Sequence, residues 1–397
     1  MIYRKSTYPL IFNFMVLTIA FLLNGCNKDF KPEESFIKVY HDQNSQNNYF
    51  PLSLFQTSDN GHIILSAKNG SKIHLMKADA QGELIWEYDL PDNYVNAIPN
   101  IIERNGNLHF ICMDAVGLFT YVMQVDEAAQ NASPVQSFPT LLYPLYVFDN
   151  GTSIYVQNYE RTDFKTGIYH LNGMMDQIID SALIDIQLDV ETEIVEHINY
   201  TGRRFPFFVS ITPENDYIVI NGFNNYSFSG VFLNANLNVS GVYNGAAFDG
   251  GLSALLPLGG NQFSIARFSY DNGYINPNVA LSPTAIDITE SIPADWNSEI
   301  DTEYPILIKR LVVNGTNYIT YLATTKSNQL VLHFYTEGGS ELVGTKYLGQ
   351  SVPLKACDFI NTEDGGVMIL AQATIMSSFN RVASIKLSNR ELEDLLN

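Results

Sequence analysis

The chain is short of several things at once. Its 397 residues hold three cysteines and two tryptophans, and 22 basic residues stand against 42 acidic ones, a formal net charge of −20. So few cysteines cannot staple a chain of this length, which must rely on a hydrophobic core. The shortage of Lys and Arg excludes the clustered positive surface that nucleic acid and anionic lipid headgroups need, so no nucleic-acid partner is expected. No G-x-S-x-G elbow, H-E-x-x-H, C-x-x-C or EF-hand loop occurs. Gly339 and Gly344 have phosphate-loop spacing, but Thr345-Lys346 follows in reversed order. The seven histidines are scattered and fall mostly at strand or turn positions, so each reads as a packing or surface residue. No metal and no cofactor is expected. Cys112 and Cys357 sit inside apolar stretches of different repeats and read as buried free thiols.

What is present is a rhythm. An apolar stretch, a Gly/Asn turn and a strand recur, with turns at Asn60-Gly61, Asn105-Gly106, Asn150-Gly151, Asn215-Asp216, Gly260-Asn261, Asn314-Gly315 and Gly365-Gly366. Pro51, Pro99, Pro144, Pro206, Leu252, Pro305 and Pro353 mark the repeats, 48, 45, 62, 46, 53 and 48 residues apart. Short Val/Ile/Tyr/Phe runs bounded by Gly and Asn are strand signals, and no long segment carries a 3.6-residue apolar stripe. A period of roughly 40–50 residues built only of strands predicts an all-β, seven-bladed β-propeller with four-stranded antiparallel blades.

The first repeat is the clearest. Strands are predicted at Leu52–Gln56, His62–Ser66, Ile73–Lys77 and Leu84–Tyr88, with turns at Ser58–Gly61 and Asp79–Gly82. The residues Thr57-Ser58-Asp59-Asn60-Gly61, Lys77-x-Asp79-x-x-Gly82 and Trp86 resemble the propeller repeats of exported Bacteroidota proteins. Ser35 to Tyr40 matches an outer strand and is expected to close the ring on the last blade. The tail Arg390 to Leu396 is the other candidate for that strand, or a short helix. The long third repeat has its surplus within Met174 to Tyr200, where alternating Ile179, Ala182, Ile184, Ile186, Leu188 and Val190 suggest an extended outer strand or a protruding hairpin.

The N-terminus has a separate logic. Arg4 and Lys5 precede the apolar stretch Leu10 to Leu23, too short for a comfortable bilayer crossing and typical of a signal peptide. It ends in Leu23-Asn24-Gly25-Cys26, which resembles a bacterial lipobox. The resemblance implies cleavage before Cys26 and lipidation of its thiol. Asn27, Lys28 and Asp29 are similar to the signal that carries Bacteroidota lipoproteins to the cell surface. The domain plan is therefore a signal peptide (1–25), a lipidated linker (26–34) and a propeller (35–397), anchored to the outer membrane and facing the periplasm or the cell surface. Loss of residues 1–25 leaves 20 basic residues against 42 acidic ones.

Three consecutive repeats carry rich connectors between their second and third strands: Tyr159–Phe164, Phe223–Phe228 and Arg267–Tyr274. Connectors between repeats add Tyr200–Arg204, Phe248–Gly250 and Trp296. These place Arg161, Arg203, Arg204, Tyr226, Arg267, Tyr270, Tyr274 and Trp296 on one sector of one face. Flat aromatics beside guanidinium groups suit sugar rings and anionic groups. The expectation is a binding module for a glycan, an anionic ligand or a partner protein, attached to the membrane through Cys26. The alternative is a polysaccharide lyase or glycoside hydrolase using carboxylates such as Asp163, Asp249 and Asp271.

Overall fold

The computed structural model describes residues 34–397, apart from 43, 45, 200–204, 215, 289–291, 339–340 and 377. The described residues form thirty strands and two helices. Strand β1 (Phe36–Val39) is followed by a first meander, β2 (Tyr49–Gln56), β3 (His62–Lys68), β4 (Lys72–Ala78) and β5 (Leu84–Asp89). The short β6 (Tyr94–Val95) leads to a second, β7 (Ile102–Arg104), β8 (Asn107–Asp114), β9 (Phe119–Asp126) and β10 (Asn131–Leu142). A third contains β11 (Pro144–Asp149), β12 (Ile154–Glu160), β13 (Lys165–Leu171) and β14 (Ile178–Asp185), and ends in helix α1 (Glu191–Asn199). The fourth is β15 (Phe208–Ile211), β16 (Tyr217–Asn224), β17 (Ser227–Asn234) and β18 (Val239–Asn244). The fifth is β19 (Gly250–Gly259), β20 (Gln262–Ser269), β21 (Asn272–Ala280) and, after the detour β22 (Ile286–Ile288), β23 (Asp295–Asn297). Then come β24 (Leu307–Val313), β25 (Thr316–Thr324), β26 (Leu330–Thr336) and β27 (Leu342–Leu348). Last are β28 (Leu354–Asn361), β29 (Val367–Ile375), β30 (Phe379–Leu387) and helix α2 (Asn389–Leu396).

These strands form six sheets rather than seven separate ones. The cause is local. Strand β6 pairs with Lys72 of β4 and with Met113 and Asp114 of β8, lacing the first two meanders into one nine-stranded sheet. Strand β22 runs parallel to β18 and gives the fourth meander a fifth strand. Strand β1 pairs antiparallel with β30, Phe36 opposite Lys386, and takes the outer edge of the last sheet. The C-terminal tail forms α2 instead, capped by Ser388, whose side chain accepts from the Glu391 amide.

The middle strands are buried on both faces and the outer ones are not: β3 and β4 are almost wholly buried, whereas β5 and β14 are mostly exposed or half-buried, each with a single buried residue. Each middle strand is apolar on both sides because a neighbouring meander covers each side. An apolar core fills the space between successive meanders, as where Leu65, Ile73 and Leu75 meet Leu108, Phe110 and Met123. Another joins Tyr49, Ile64 and Met76 to Met368, Leu370 and Val382, so the last meander packs on the first and the succession closes into a ring.

Polar side chains stitch neighbouring meanders as well. Asn221 donates to the carbonyls of Leu252 and Pro206, and Gln157 donates to the carbonyl of Asn221 at 2.7 Å. The Tyr321 hydroxyl lies 2.5 Å from Ser264 Oγ and 2.9 Å from the Asn276 carbonyl, both on the preceding meander. Tyr321→Phe is expected to cost about 1–3 kcal/mol, the usual loss when buried polar groups lose a partner. Urea unfolding would show this as a lower midpoint with an unchanged slope.

The repeated T-x-D-x-G turn is explained by the first meander. The Asp59 Oδ1 atom accepts from the Gly61 amide, the Thr57 hydroxyl and the Lys77 ammonium, the last at 2.9 Å. A Cβ on Gly61 would stand 2.6 Å from the carbonyl oxygen of Ala78, so only glycine fits there. The last meander repeats the device with Thr362, Asp364, Gly366 and Lys386.

The surplus in the third repeat is neither a hairpin nor a longer strand. It is α1, begun by an Asp189 carboxylate that accepts from the Glu191 amide at 2.9 Å. Val190, Ile194 and Ile198 lie four residues apart and are buried together with Phe205, Phe207, Phe223, Phe228 and Phe268. That spacing overrides the strand-like alternation before it. The Asn199 carbonyl oxygen lies 3.6 Å from where a Cβ on Gly70 would stand, so α1 reaches from the third meander to the first across one end of the ring.

Candidate functional site

The innermost strand of each meander faces the axis, and four of them break register at equivalent places. Leu52 in β2, Leu145 in β11, Ser253 in β19 and Cys357 in β28 are each an extra residue. The marker prolines Pro51 and Pro144 sit immediately before two of these breaks, where a missing N–H does least harm to the ladder. A bulge re-aims the side chains that follow it. Here it turns Ser53, Tyr146 and Asp358 toward a shared polar centre.

Asp358 is the hub of that centre and is 6% exposed. Its carboxylate accepts from Lys309 Nζ at 2.6 Å, from the Leu54 amide at 3.0 Å and from the Phe359 amide at 2.8 Å. Ser53 Oγ is 3.5 Å away and itself accepts from the Ile101 amide. Donors thus come from the first, sixth and last meanders. The Tyr146 hydroxyl hydrogen-bonds Asn100 and lies near Lys309 and Asp358. Burial is the main influence on it and holds its pKa above the usual phenol value; the Asn100 bond and the Lys309 charge oppose that shift.

Around this hub is a cavity of about 650 Å³ lined by the inner strand of every meander. Its walls include Phe55, Phe148, Phe207, Leu255 and Ile306, and His197 of α1 stands at one end. Three further cations reach it or its rim. Arg104 pairs with Asp149, and Arg310 with Glu337. Lys355 donates to the Tyr304 hydroxyl, and its ammonium is 4.3 Å from the centre of that ring. Cys357 is half-buried and lines the cavity, in contrast to the fully buried Cys112; neither is held in a disulfide.

The residues expected to form a loop-face site are placed differently from one another. The three rich connectors are tight turns, because their aromatic ends continue the strand ladders: β12 runs to Glu160, β16 to Asn224 and β20 to Ser269. Arg267 is therefore a strand residue and 7% exposed, not a loop residue. It stacks on Tyr274 with 4.0 Å between guanidinium carbon and ring centre. Tyr274 pairs with Trp296, which stands on the outer strand β23 rather than in a connector and is 63% exposed. Arg267, Tyr274 and Trp296 thus share one rung across the fifth meander. Arg161 lies on the β12–β13 turn with Nε 3.4 Å from Glu191 of α1. Tyr226 and Tyr270 occupy turns at positive φ, 69° and 50°, with largely exposed rings. Arg203, Arg204 and Cys26 lie outside the described residues.

Sequence reasoning missed the axial residues. Their signal is a charged side chain inside an otherwise apolar inner strand, Lys309 in Leu307–Val313 and Asp358 in Leu354–Asn361. Asp163, Asp249 and Asp271 stand exposed on turns and are not among the cavity-lining residues.

No protein-family model matches the chain, and no curated protein matches its sequence. Solved structures do. Hydrazine synthase of Kuenenia stuttgartiensis is 11% identical with a TM-score of 0.50, the match covering 87% of this chain and 98% of that one. The β-propeller domain of the trilobed protease from Pyrococcus furiosus is 8% identical, with a TM-score of 0.43 over 86% of this chain and 95% of that one. The periplasmic gluconolactonase of Pseudomonas aeruginosa is 10% identical, with a TM-score of 0.47 over 86% and 97%. Likeness at this level speaks to fold alone. Successive antiparallel meanders closed by an N-terminal strand define a β-propeller built from sequence repeats.

Proposed function

We propose that the chain is a seven-bladed, lipid-anchored β-propeller that acts as a binding module, with the axial cavity as its ligand chamber. The count of seven rests on reading the nine-stranded sheet as two blades joined by β6, with one apolar core between each successive pair of meanders. Export and anchoring rest on the resemblance of Leu23–Cys26 to a lipobox. They put the protein at the outer membrane, facing the periplasm or the cell surface. Metabolic labelling with an alkyne fatty acid is expected to mark the wild type and not Cys26→Ala; equal labelling would remove the anchor.

The observation that carries the binding reading is the cavity itself. It has the size of a small-molecule site, mostly apolar walls and a few convergent polar groups: Lys309, Lys355, Tyr146, Tyr304 and Asn100. A second reading, a glycan platform, is supported by the Arg267–Tyr274–Trp296 rung, where an exposed indole extends a stacked pair. Thermal-shift screening of the purified protein against small molecules and glycans separates the two. Leu256→Trp, which narrows the cavity at its wall, is expected to weaken stabilising hits, and Trp296→Ala to leave them intact. The reverse result would transfer binding to the fifth blade.

A further inference from the structure

Most of the charge in the axial cavity is already neutralised. Of the charged side chains lining it, Lys309 pairs with Asp358, Asp149 with Arg104 and Arg310 with Glu337. Glu103 is exposed. Lys355 is different: it is half-buried, it enters no ion pair among the described residues, and its hydrogen-bond partner is the neutral Tyr304 hydroxyl. An ammonium has three donors, so two remain for an incoming oxygen. The phenol that accepts from Lys355 keeps its own proton to donate. A half-buried cation without a counter-ion, facing apolar walls, is the complement of a single anionic head on an apolar body.

We infer that the cavity takes an amphiphilic monoanion: an apolar or aromatic body packed among Phe55, Phe148, Phe207, Leu255 and Ile306, with its carboxylate or sulfonate on Lys355 and Tyr304. This rests on the axial cavity being the ligand chamber. A dianion would leave its second charge against apolar walls, and a neutral sugar would leave most of its hydroxyls unpaired; both are costly. The head is held at the edge of the polar centre, so Lys309 and Asp358 keep their structural pairing when ligand is bound.

The test uses two fluorescent probes that differ in charge, 1-anilinonaphthalene-8-sulfonate and the neutral N-phenyl-1-naphthylamine. Both are expected to bind saturably to the native protein. Lys355→Met should weaken the sulfonate about ten-fold or more, as loss of a hydrogen bond to a charged group does, and leave the neutral probe unchanged. Lys355→Arg should retain the sulfonate, and Tyr304→Phe should weaken it to a lesser degree; the latter carries the test if Lys355→Met fails to fold. Decanoate should displace the sulfonate and decan-1-ol should do so poorly, which extends the assignment from sulfonates to carboxylates. If both probes bind but neither the Lys355 nor the Tyr304 variant discriminates between them, the anion assignment is wrong. If neither probe binds saturably, the cavity is not a ligand chamber at all.

Discussion

Replacing Asp358 by alanine is expected to destabilise the protein by about 3–5 kcal/mol, the range for breaking a buried, hydrogen-bonded ion pair from one side. The carboxylate is almost fully buried and receives Lys309 together with the Leu54 and Phe359 amides. Its removal leaves two backbone donors and one ammonium without their acceptor. The Leu54 amide belongs to the first blade and Asp358 to the last, so the loss falls on the seam where the ring closes. Lys309→Met should cost less, about 1–2 kcal/mol, because the lysine is 37% exposed and the carboxylate keeps its amide donors. Guanidinium unfolding of the two variants decides the matter. Equal costs would mean that Asp358 acts only as the partner of Lys309 and not as a clasp between blades.

Lys386→Met is the second large effect, at about 3 kcal/mol near neutral pH. The Lys386 ammonium is 2.6 Å from Asp364, and both side chains are largely buried. The first-blade equivalent, Lys77→Met, should cost only about 1 kcal/mol, because its partners Asp59 and Glu127 are 59% and 41% exposed. The Lys386 effect must also depend on pH. Burial alone would raise the pKa of Asp364, but Lys386, the Thr362 hydroxyl and the Gly366 amide more than offset it and hold the carboxyl below its ordinary value. A carboxyl depressed in the native state contributes stability above its unfolded pKa of about 4, and that contribution disappears as pH falls through the native value. The gap between wild type and Lys386→Met should therefore be full at pH 7 and narrow in acid. The wild type should itself lose stability below about pH 4, as Asp42 and Asp59, each held near a pKa of about 2, become protonated along with Asp364. A gap that stays constant down to pH 2 would rule out the ion pair as its source.

Much of the architecture was legible because blades are built from local signals. The Asn-Gly and Asp-x-x-Gly turns, the proline at or near the start of every inner strand but the fifth, and the outer-strand pattern of Ser35–Tyr40 each act within a few residues. The rich connectors misled for the same kind of reason. Tyr, Phe and Ser at strand ends look like loop residues in a linear reading, but a neighbouring strand in register draws them into the ladder, and Arg267 goes inside with them. Helix α1 could have been found from Asp189 and the Val190, Ile194, Ile198 spacing, had the preceding alternation not pointed to a strand.

By itself, the order of residues determined the all-β class and the repeat period and narrowed the closing strand to two segments, since turn chemistry and two-residue alternation need no distant partner. Only the tertiary structure decided that Asp358, Lys309, Tyr146 and Ser53 meet at one centre, and that Lys355 faces a cavity without a counter-ion among the described residues. Those residues come from different blades, and their proximity depends on how far each inner strand is re-aimed by its bulge and how the whole ring closes. Both are cooperative properties of packing, and no short stretch of sequence carries them.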